Sequence, residues 1–417
     1  MTTYSRSETH DRNKHRRNKR KRRLLVLNVT LIACIALVAA FIWLNGRDDA
    51  ETTGKQADEP PATAPAQTAT PADEDKPDDD ASYADEEEEP GAIEDGSEAA
   101  VDRSVTLALV GDILPAARVL DYMNQYGFDY PFRGSLELLQ SADITAGNLE
   151  TAITDRGTPM EDKQYIYRGP REALVPIKEA GFDFLSLANN HTLDYGWEGL
   201  SDTMDALDDA RIVHAGAGID DKQAYTPAYL DANGVTVAFV SVTRVVPVTE
   251  WKADKNNPGL AEAYSTTRAT AAITEARSNA DVVVVMVHWG EEKVDLPNAV
   301  QKSLAYAFVD AGADLVIGHH PHVLQGFELY KDKWIAYSLG NFVFPGMSPP
   351  TTAETGVLTA TCKPGGECSL KFSPMISKLA QPVPMDEKAG QALFARLSSI
   401  SFGSTVEEDG DIVAINP

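Results

Sequence analysis

Asp281-Val282-Val283-Val284-Val285-Met286-Val287-His288-Trp289-Gly290 is the stretch whose reading decides the fold. The run 282–287 is apolar throughout and mostly β-branched, without the alternation of a strand that has one wet face. A strand of that kind is covered on both sides, as in parallel sheets flanked by helices. Helical patterns at 266–279 and 297–311 bracket it, so the local order is helix, strand, helix. Moving outward, 105–110 repeats the apolar character, and strand-like runs recur at 144–146, 184–188, 235–242, 315–317 and 334–337. Helical stretches at 171–180 and 197–210 fall between them. This alternation predicts one α/β domain over 101–417. Later, 356–361 and 369–373 read as a hairpin on the sheet edge, joined by the turn Lys363-Pro364-Gly365-Gly366-Glu367. Such a hairpin brings Cys362 and Cys368 close enough for a structural disulfide, a bond that persists in oxidising compartments.

The rest of the 417-residue chain is unlike this domain. Residues 1–23 hold ten Lys and Arg against two Asp and Glu, and residues 24–44 hold no charge at all. A transmembrane helix needs about 20 apolar residues, so 24–44 reads as a single-pass anchor. The basic tail before it predicts a cytoplasmic N-terminus and an extracellular C-terminal domain at the cell membrane. A cleaved signal peptide, or lipoprotein processing at Cys34 in Leu31-Ile32-Ala33-Cys34, are the rival readings. Both leave the body outside the cytoplasm. Residues 45–100 carry three Lys and Arg against nineteen acids among many Pro and Ala, which predicts a disordered, extended linker. With a net charge of −26 overall, the folded part remains strongly acidic. That excludes a nucleic-acid partner, because a phosphate backbone is held by Lys and Arg.

Inside the domain, unusual polar residues fall just past the strand candidates. Asp112 follows 105–110, Asn148 and Glu150 follow 144–146, and Asn189, Asn190 and His191 follow 184–188. His288 ends the opening stretch, and His319, His320 and His322 follow 315–317. Any one of these could be a turn cap or a packed histidine. Five strands delivering such groups to one sheet edge point to a site there, since ligands of open α/β sheets sit at the carboxyl ends of strands. Carboxylate, amide and imidazole donors without a thiolate suit a divalent Mn, Fe or Zn ion. An acid shared by two such ions, with histidines on either side, is the layout of a two-metal hydrolase.

The motifs Gly111-Asp112, Asn148-Leu149-Glu150, Ala188-Asn189-Asn190-His191, His288-Trp289-Gly290, Gly318-His319-His320-Pro321-His322 and Ser338-Leu339-Gly340-Asn341-Phe342 resemble the CapA-like poly-γ-glutamate capsule biosynthesis family. The similarity runs over about 106–344. The resemblance implies kinship with calcineurin-like metallophosphoesterases and their four-layer α/β/β/α sandwich. It implies a metal set of Asp112, Asn148, Glu150, Asn190, His288, His320 and His322, with one or two ions. His191 becomes a candidate general acid or transition-state stabiliser, and Asn190 serves beside it. Asn189, Asn341 and His319 are expected to line the pocket, with His319 an alternative ligand because the His-x-His motif is doubled here. One departure stands out: Leu114 occupies the place of the histidine in an Asp-x-His motif, which leaves open an altered metal number, another substrate, or a site that only binds. The function implied is capsule synthesis, export or anchoring. An active metal-dependent phosphoesterase or amide hydrolase on an envelope polymer is an alternative, as is a non-catalytic scaffold of a membrane synthetase complex. Expected partners are poly-γ-glutamate or another envelope polymer, integral-membrane capsule synthetase subunits, and the membrane. Arg168 and Arg244 are candidates for polymer contacts, or else surface salt bridges.

Overall fold

The computed structural model describes residues 103–415. The basic tail, the apolar stretch 24–44 and the acidic linker lie outside the described residues. Among those described, no helix is long and apolar enough to cross a membrane.

The opening stretch forms the strand Val282–His288, buried along its whole length. It runs parallel to Val235–Thr243 on one side and Leu315–His319 on the other. Lys333–Ala336 extends the parallel core, and Phe327–Tyr330 and Ala228–Ala232 close the edges antiparallel, giving six strands. The period of two explains the unbroken apolar run. Val282, Val284 and Met286 enter one core cluster, while Val283, Val285 and Val287 enter another.

The larger sheet has ten strands, with Val105–Ile113 near its centre. Ile144–Leu149, Phe182–Ser186 and Val213–Ala215 follow it in parallel. On the other side Glu354–Cys362 pairs antiparallel with residues 105–109, and Asn341–Val343 pairs in parallel at Asp112 and Ile113. Val105–Ile113 therefore changes neighbour partway along its length.

The two sheets face each other across one apolar layer. Leu107, Leu109 and Phe184 meet Val237, Phe239, Val284 and Ile317 there, and the rings of Phe184 and Phe239 stack at 4.3 Å. Helices Ala117–Tyr126, Leu174–Glu179 and Gly196–Asp209 cover the outer face of the large sheet through Val119, Met123, Ile177, Leu200 and Leu207. Thr266–Asn279 and Ala299–Asp310 cover the small sheet through Ile273, Leu304 and Phe308. The second of these begins at a capping box, in which Asn298 and Gln301 satisfy each other's backbone N–H groups. The order is helices, sheet, sheet, helices.

Several sequence boundaries need correction. The strands carrying Asp112 and Asn148 run to Ile113 and Leu149, so both residues lie inside them and face each other in register. The ladder persists because each strand has a hydrogen-bonding neighbour on both sides at that height. The expected edge hairpin is Glu354–Cys362 with Cys368–Lys378, and it lies within the sheet. Strands Gln381–Pro384, Asp411–Ala414 and Ser404–Val406 continue beyond it. Helix Glu387–Ile400, also unanticipated, inserts Leu393, Phe394 and Leu397 into the inter-sheet layer. Cys362 and Cys368 stand opposite each other and are joined by a disulfide. Lys333 of the other sheet bonds the carbonyl of Gly366 at 2.9 Å, which fastens the turn.

Two glycines let backbones cross beneath the carboxyl edge. A Cβ on Gly111 would stand 1.9 Å from the Gly340 carbonyl oxygen, and one on Gly318 would stand 2.0 Å from that of Tyr337. Each directly precedes a polar strand-end residue, so the close approach positions the site. Gly111→Ala is expected to lower unfolding free energy by about 2 kcal/mol or more, as overpacking does. Gly346→Ala, with nothing within 4 Å, should be near neutral. Urea denaturation of the two variants compares them, and equal curves would show that the crossing backbone yields freely.

Candidate metal centre

Asp112, Glu150, His288, His320 and His322 meet at the carboxyl ends of strands from both sheets. Two groups emerge: Asp112, Glu150 and His322, and Glu150, His288 and His320. Within each group the ligand-competent atoms lie within 4.8 Å of one another. Glu150 belongs to both.

Glu150 is fully buried, and neither carboxylate oxygen has a hydrogen-bond partner. Its Oε1 stands 3.8 Å from His322 Nε2, 3.9 Å from His288 Nε2 and 4.0 Å from His191 Nε2. These separations are too long for hydrogen bonds and leave room for a shared cation between carboxylate and imidazoles. A buried carboxylate without a partner is strongly disfavoured. Burial first, and the neighbouring Asp112 charge second, push the Glu150 carboxyl well above the usual carboxylate range. Burial acts in the opposite sense on His288 and His320, keeping them neutral. His288 is held well below its ordinary value by burial and by the adjacent imidazoles, and His320 is pushed down to about 3. Neutral imidazole is the form that binds metal. The orphaned carboxylate and the neutral histidines fit a divalent cation.

The surrounding amides aim these ligands. Asn148 Nδ2 donates to Asp112 Oδ1 at 2.8 Å, and Asn189 Nδ2 donates to Asn148 Oδ1 at 3.1 Å. Asn189 Oδ1 in turn accepts the His191 N–H at 3.0 Å and the Thr192 hydroxyl at 3.0 Å. Asn148 and Asn189 thus form a bracket from Asp112 to His191. For Asp112, burial opposes the charge, yet the His322 contact and charge hold its carboxyl below the ordinary value. Asn341 Oδ1 lies 2.8 Å from His322 Nδ1, which turns Nε2 toward Glu150. Asn190 is the half-buried member, with Oδ1 2.7 Å from His288 Nε2.

His320 and His322 both have positive φ, 95° and 56°, because the chain turns sharply just after its strand. That turn carries both imidazoles to the centre. His319, still inside the strand, places Nε2 3.1 Å from the carbonyl oxygen of Val110 and joins neither ligand group. It ties the sheets together. Arg168 is exposed, with its guanidinium over the Tyr195 ring at 4.8 Å. Leu114 is fully buried beside Ala116 and Phe344. The Phe344 ring lies 4.7 Å from that of His322, so an apolar wall stands where the resemblance would put a histidine.

Three participants escaped the sequence reading. Asp194 Oδ2 lies 2.7 Å from His191 Nδ1 and also accepts the Tyr167 N–H at 2.7 Å. Lys163 bonds Asp194 Oδ1 and the Asn190 carbonyl. The Tyr167 ring lies 4.6 Å from the His191 ring. The spacing of His191 and Asp194 in one turn was a usable signal; Lys163 and Tyr167 sit in an irregular loop that offered none. Burial lowers the His191 imidazole despite its bond to Asp194, and it lowers the Lys163 ammonium despite the same carboxylate.

The model of the family described as bacterial capsule synthesis protein PGA_cap matches residues 106–346. The capsule biosynthesis protein CapA of Bacillus anthracis is 37% identical over 287 residues, 67% of this chain and 69% of that protein. The PGA biosynthesis protein CapA of Bacillus subtilis is 34% identical over 316 residues, 75% of this chain and 82% of that one. Among solved structures, the NAD nucleotidase of Haemophilus influenzae covers 72% of this chain and 57% of its own. Its identity is 10% and its TM-score 0.41, a likeness too low to carry a conclusion.

The lowered histidines fix the sign of a pH effect in metal-free protein. Between the folded value of about 3 for His320 and its ordinary 6.5, the unfolded chain binds the proton and the folded chain does not. The histidine contribution to stability therefore rises with pH in that window, and His288 acts in the same sense, while the raised Glu150 carboxyl acts in the opposite one. With Glu150→Gln removing that opposing group and chelator present, the thermal midpoint should fall as pH drops below about 6.5. His320→Gln should flatten part of that fall, and an unchanged profile would remove His320 as its source.

Proposed function

The chain belongs to the family of bacterial capsule synthesis proteins, and from that premise we propose that it is a membrane-anchored, extracellular component of poly-γ-glutamate capsule synthesis, export or anchoring, with one or two divalent cations held at Glu150. One observation carries the metal reading: a fully buried carboxylate, shared by two ligand groups, with no hydrogen-bond partner on either oxygen. The helix, sheet, sheet, helix layering supports a metallophosphoesterase-like sandwich. The uncharged stretch 24–44 behind a basic tail supports the anchor, by which integral-membrane synthetase subunits could be met. The relatives' names support the polymer.

Asp112, Glu150 and His322 would hold one ion and Glu150, His288 and His320 the other, with Asn190 beside His288. When bound, such ions supply Lewis-acid stabilisation of negative charge on oxygen. Asn341 and Asn148 keep His322 and Asp112 pointed at the centre.

A second reading, hydrolysis of a phosphoester or amide in an envelope polymer, is favoured by the His191–Asp194 pair. With Nδ1 bonded to Asp194, His191 directs Nε2 toward Glu150, where it can exchange a proton with a reacting group at the cluster. Lys163 balances the buried Asp194 carboxylate.

Elemental analysis of the purified full chain tests the centre. Glu150→Gln should abolish bound metal. Asp112→Asn and His288→Gln should each remove one ion and lower capsule output. Undiminished metal in Glu150→Gln would overturn the assignment. For the second reading, His191→Asn should keep the metal and lose at least a hundredfold in turnover, the usual scale of general acid–base assistance being about 10²–10⁴. Intact turnover, or normal capsule output with the site variants, favours a scaffold.

A further inference from the structure

Arg244 comes directly after the strand Val235–Thr243, and its N–H bonds the His288 carbonyl at 2.8 Å. The rim of the centre thus begins beside one of its ligands. The same loop continues to Trp251, whose ring lies 5.4 Å from the Lys163 ammonium on the far side of His191. Residues 244–252 therefore run from beside His288 to a contact with Lys163, which itself meets His191.

Two cations of this loop share one aromatic ring. Arg244 lies 3.7 Å from the centroid of Tyr264 and Lys252 lies 4.1 Å from it. Their charges consequently stand within about 8 Å of each other, one Debye length at physiological salt. Tyr264 is 42% exposed and is fixed at both ends. Its hydroxyl accepts the Val246 N–H at 3.2 Å, and its own N–H donates to Glu262 Oε2 at 2.5 Å. The other Glu262 oxygen faces Arg268 at 3.3 Å, so that acid is engaged elsewhere.

Among the described residues, neither Arg244 nor Lys252 has an ion pair with a carboxylate. Arg133, Arg156, Arg171, Arg277 and Arg396 each have one. Arg244 and Lys252 thus set two like charges about one ring, and Glu250, the exposed acid of their own loop, is in no ion pair with either. An anion from outside would relieve their mutual repulsion. A guanidinium fork takes a carboxylate through two parallel hydrogen bonds, and an ammonium takes a second as a point charge.

We propose that Arg244 and Lys252, held on Tyr264, are a carboxylate-binding subsite that receives an acidic polymer chain at the mouth of the Glu150 centre. This rests on the reading of the protein as a capsule-polymer component and gives that reading a point of contact. The two cations engage neighbouring carboxylates of one chain and guide it toward the metal ligands. A polyphosphate shares the negative charge but lacks the carboxylate spacing, so it serves as the discriminating probe.

The experiment titrates the full chain with fluorescently labelled poly-γ-glutamate and, separately, with inorganic polyphosphate of equal charge. Poly-γ-glutamate is expected to bind more tightly. Arg244→Gln with Lys252→Gln should weaken that binding about tenfold or more and flatten its salt dependence. Metal content and thermal midpoint should stay unchanged, and Lys252→Arg should keep the affinity. Unchanged affinity in the double variant, equal or tighter binding of polyphosphate, or no poly-γ-glutamate binding by the unsubstituted chain would each overturn the subsite. Capsule output of cells lacking the chain decides the capsule-polymer reading independently, so the two readings can fail separately.

Discussion

Removing Glu150 from water creates the constraint to which the rest of the site answers. The group must be ionised to hold a cation, yet burial favours its protonated form when no cation is near. The same burial strips protons from His288 and His320, which makes them competent donors. One physical cause thus prepares acid and imidazoles in opposite directions. Asn148, Asn189 and Asn341 then spend their hydrogen bonds on orienting side chains and leave Glu150 bare. Burial without a hydrogen-bond partner, a defect around a structural carboxylate, suits one that would hold a cation.

Much of the scaffold was legible because parallel strands covered on both faces write themselves as unbroken apolar runs. The strand Val282–His288 and the helix Thr266–Asn279 coincide with their sequence patterns for that reason. The clustering of Asp112, Glu150, His288, His320 and His322 followed from the rule that such strands deliver their last residues to one edge. What stayed hidden depends on direction more than on position. Spacing cannot say which residue of His319-His320-Pro321-His322 faces the centre; alternation turns His319 to the Val110 carbonyl, and the left-handed turn swings its successors away. The helix Glu387–Ile400 was missed because its apolar stripe is modest and gains meaning only against the inter-sheet layer. Lys163 and Tyr167 lie in a loop whose path is set by Asp194, a contact without a local pattern.

Leu114 illustrates how a departure from a motif can be absorbed. With Phe344 and Ala116 it makes a dry wall under His322, while Asp112 and Asn341 hold that imidazole from the other side. The group of Asp112, Glu150 and His322 still converges. The three side chains stay gathered without any contribution from position 114.

The change of neighbour along Val105–Ile113 has a consequence for biogenesis. Residues near the start of the domain cannot complete their hydrogen-bonding until Asn341–Val343 arrives alongside Asp112. The ligands are also scattered from Asp112 to His322, with their supporting amide at Asn341. Closing contacts so distant in sequence is slow, and little of the centre can exist before most of the domain has been synthesised and gathered. A product cut short before His322 would lack a donor of the first group, and one cut before His320 would lack donors of both.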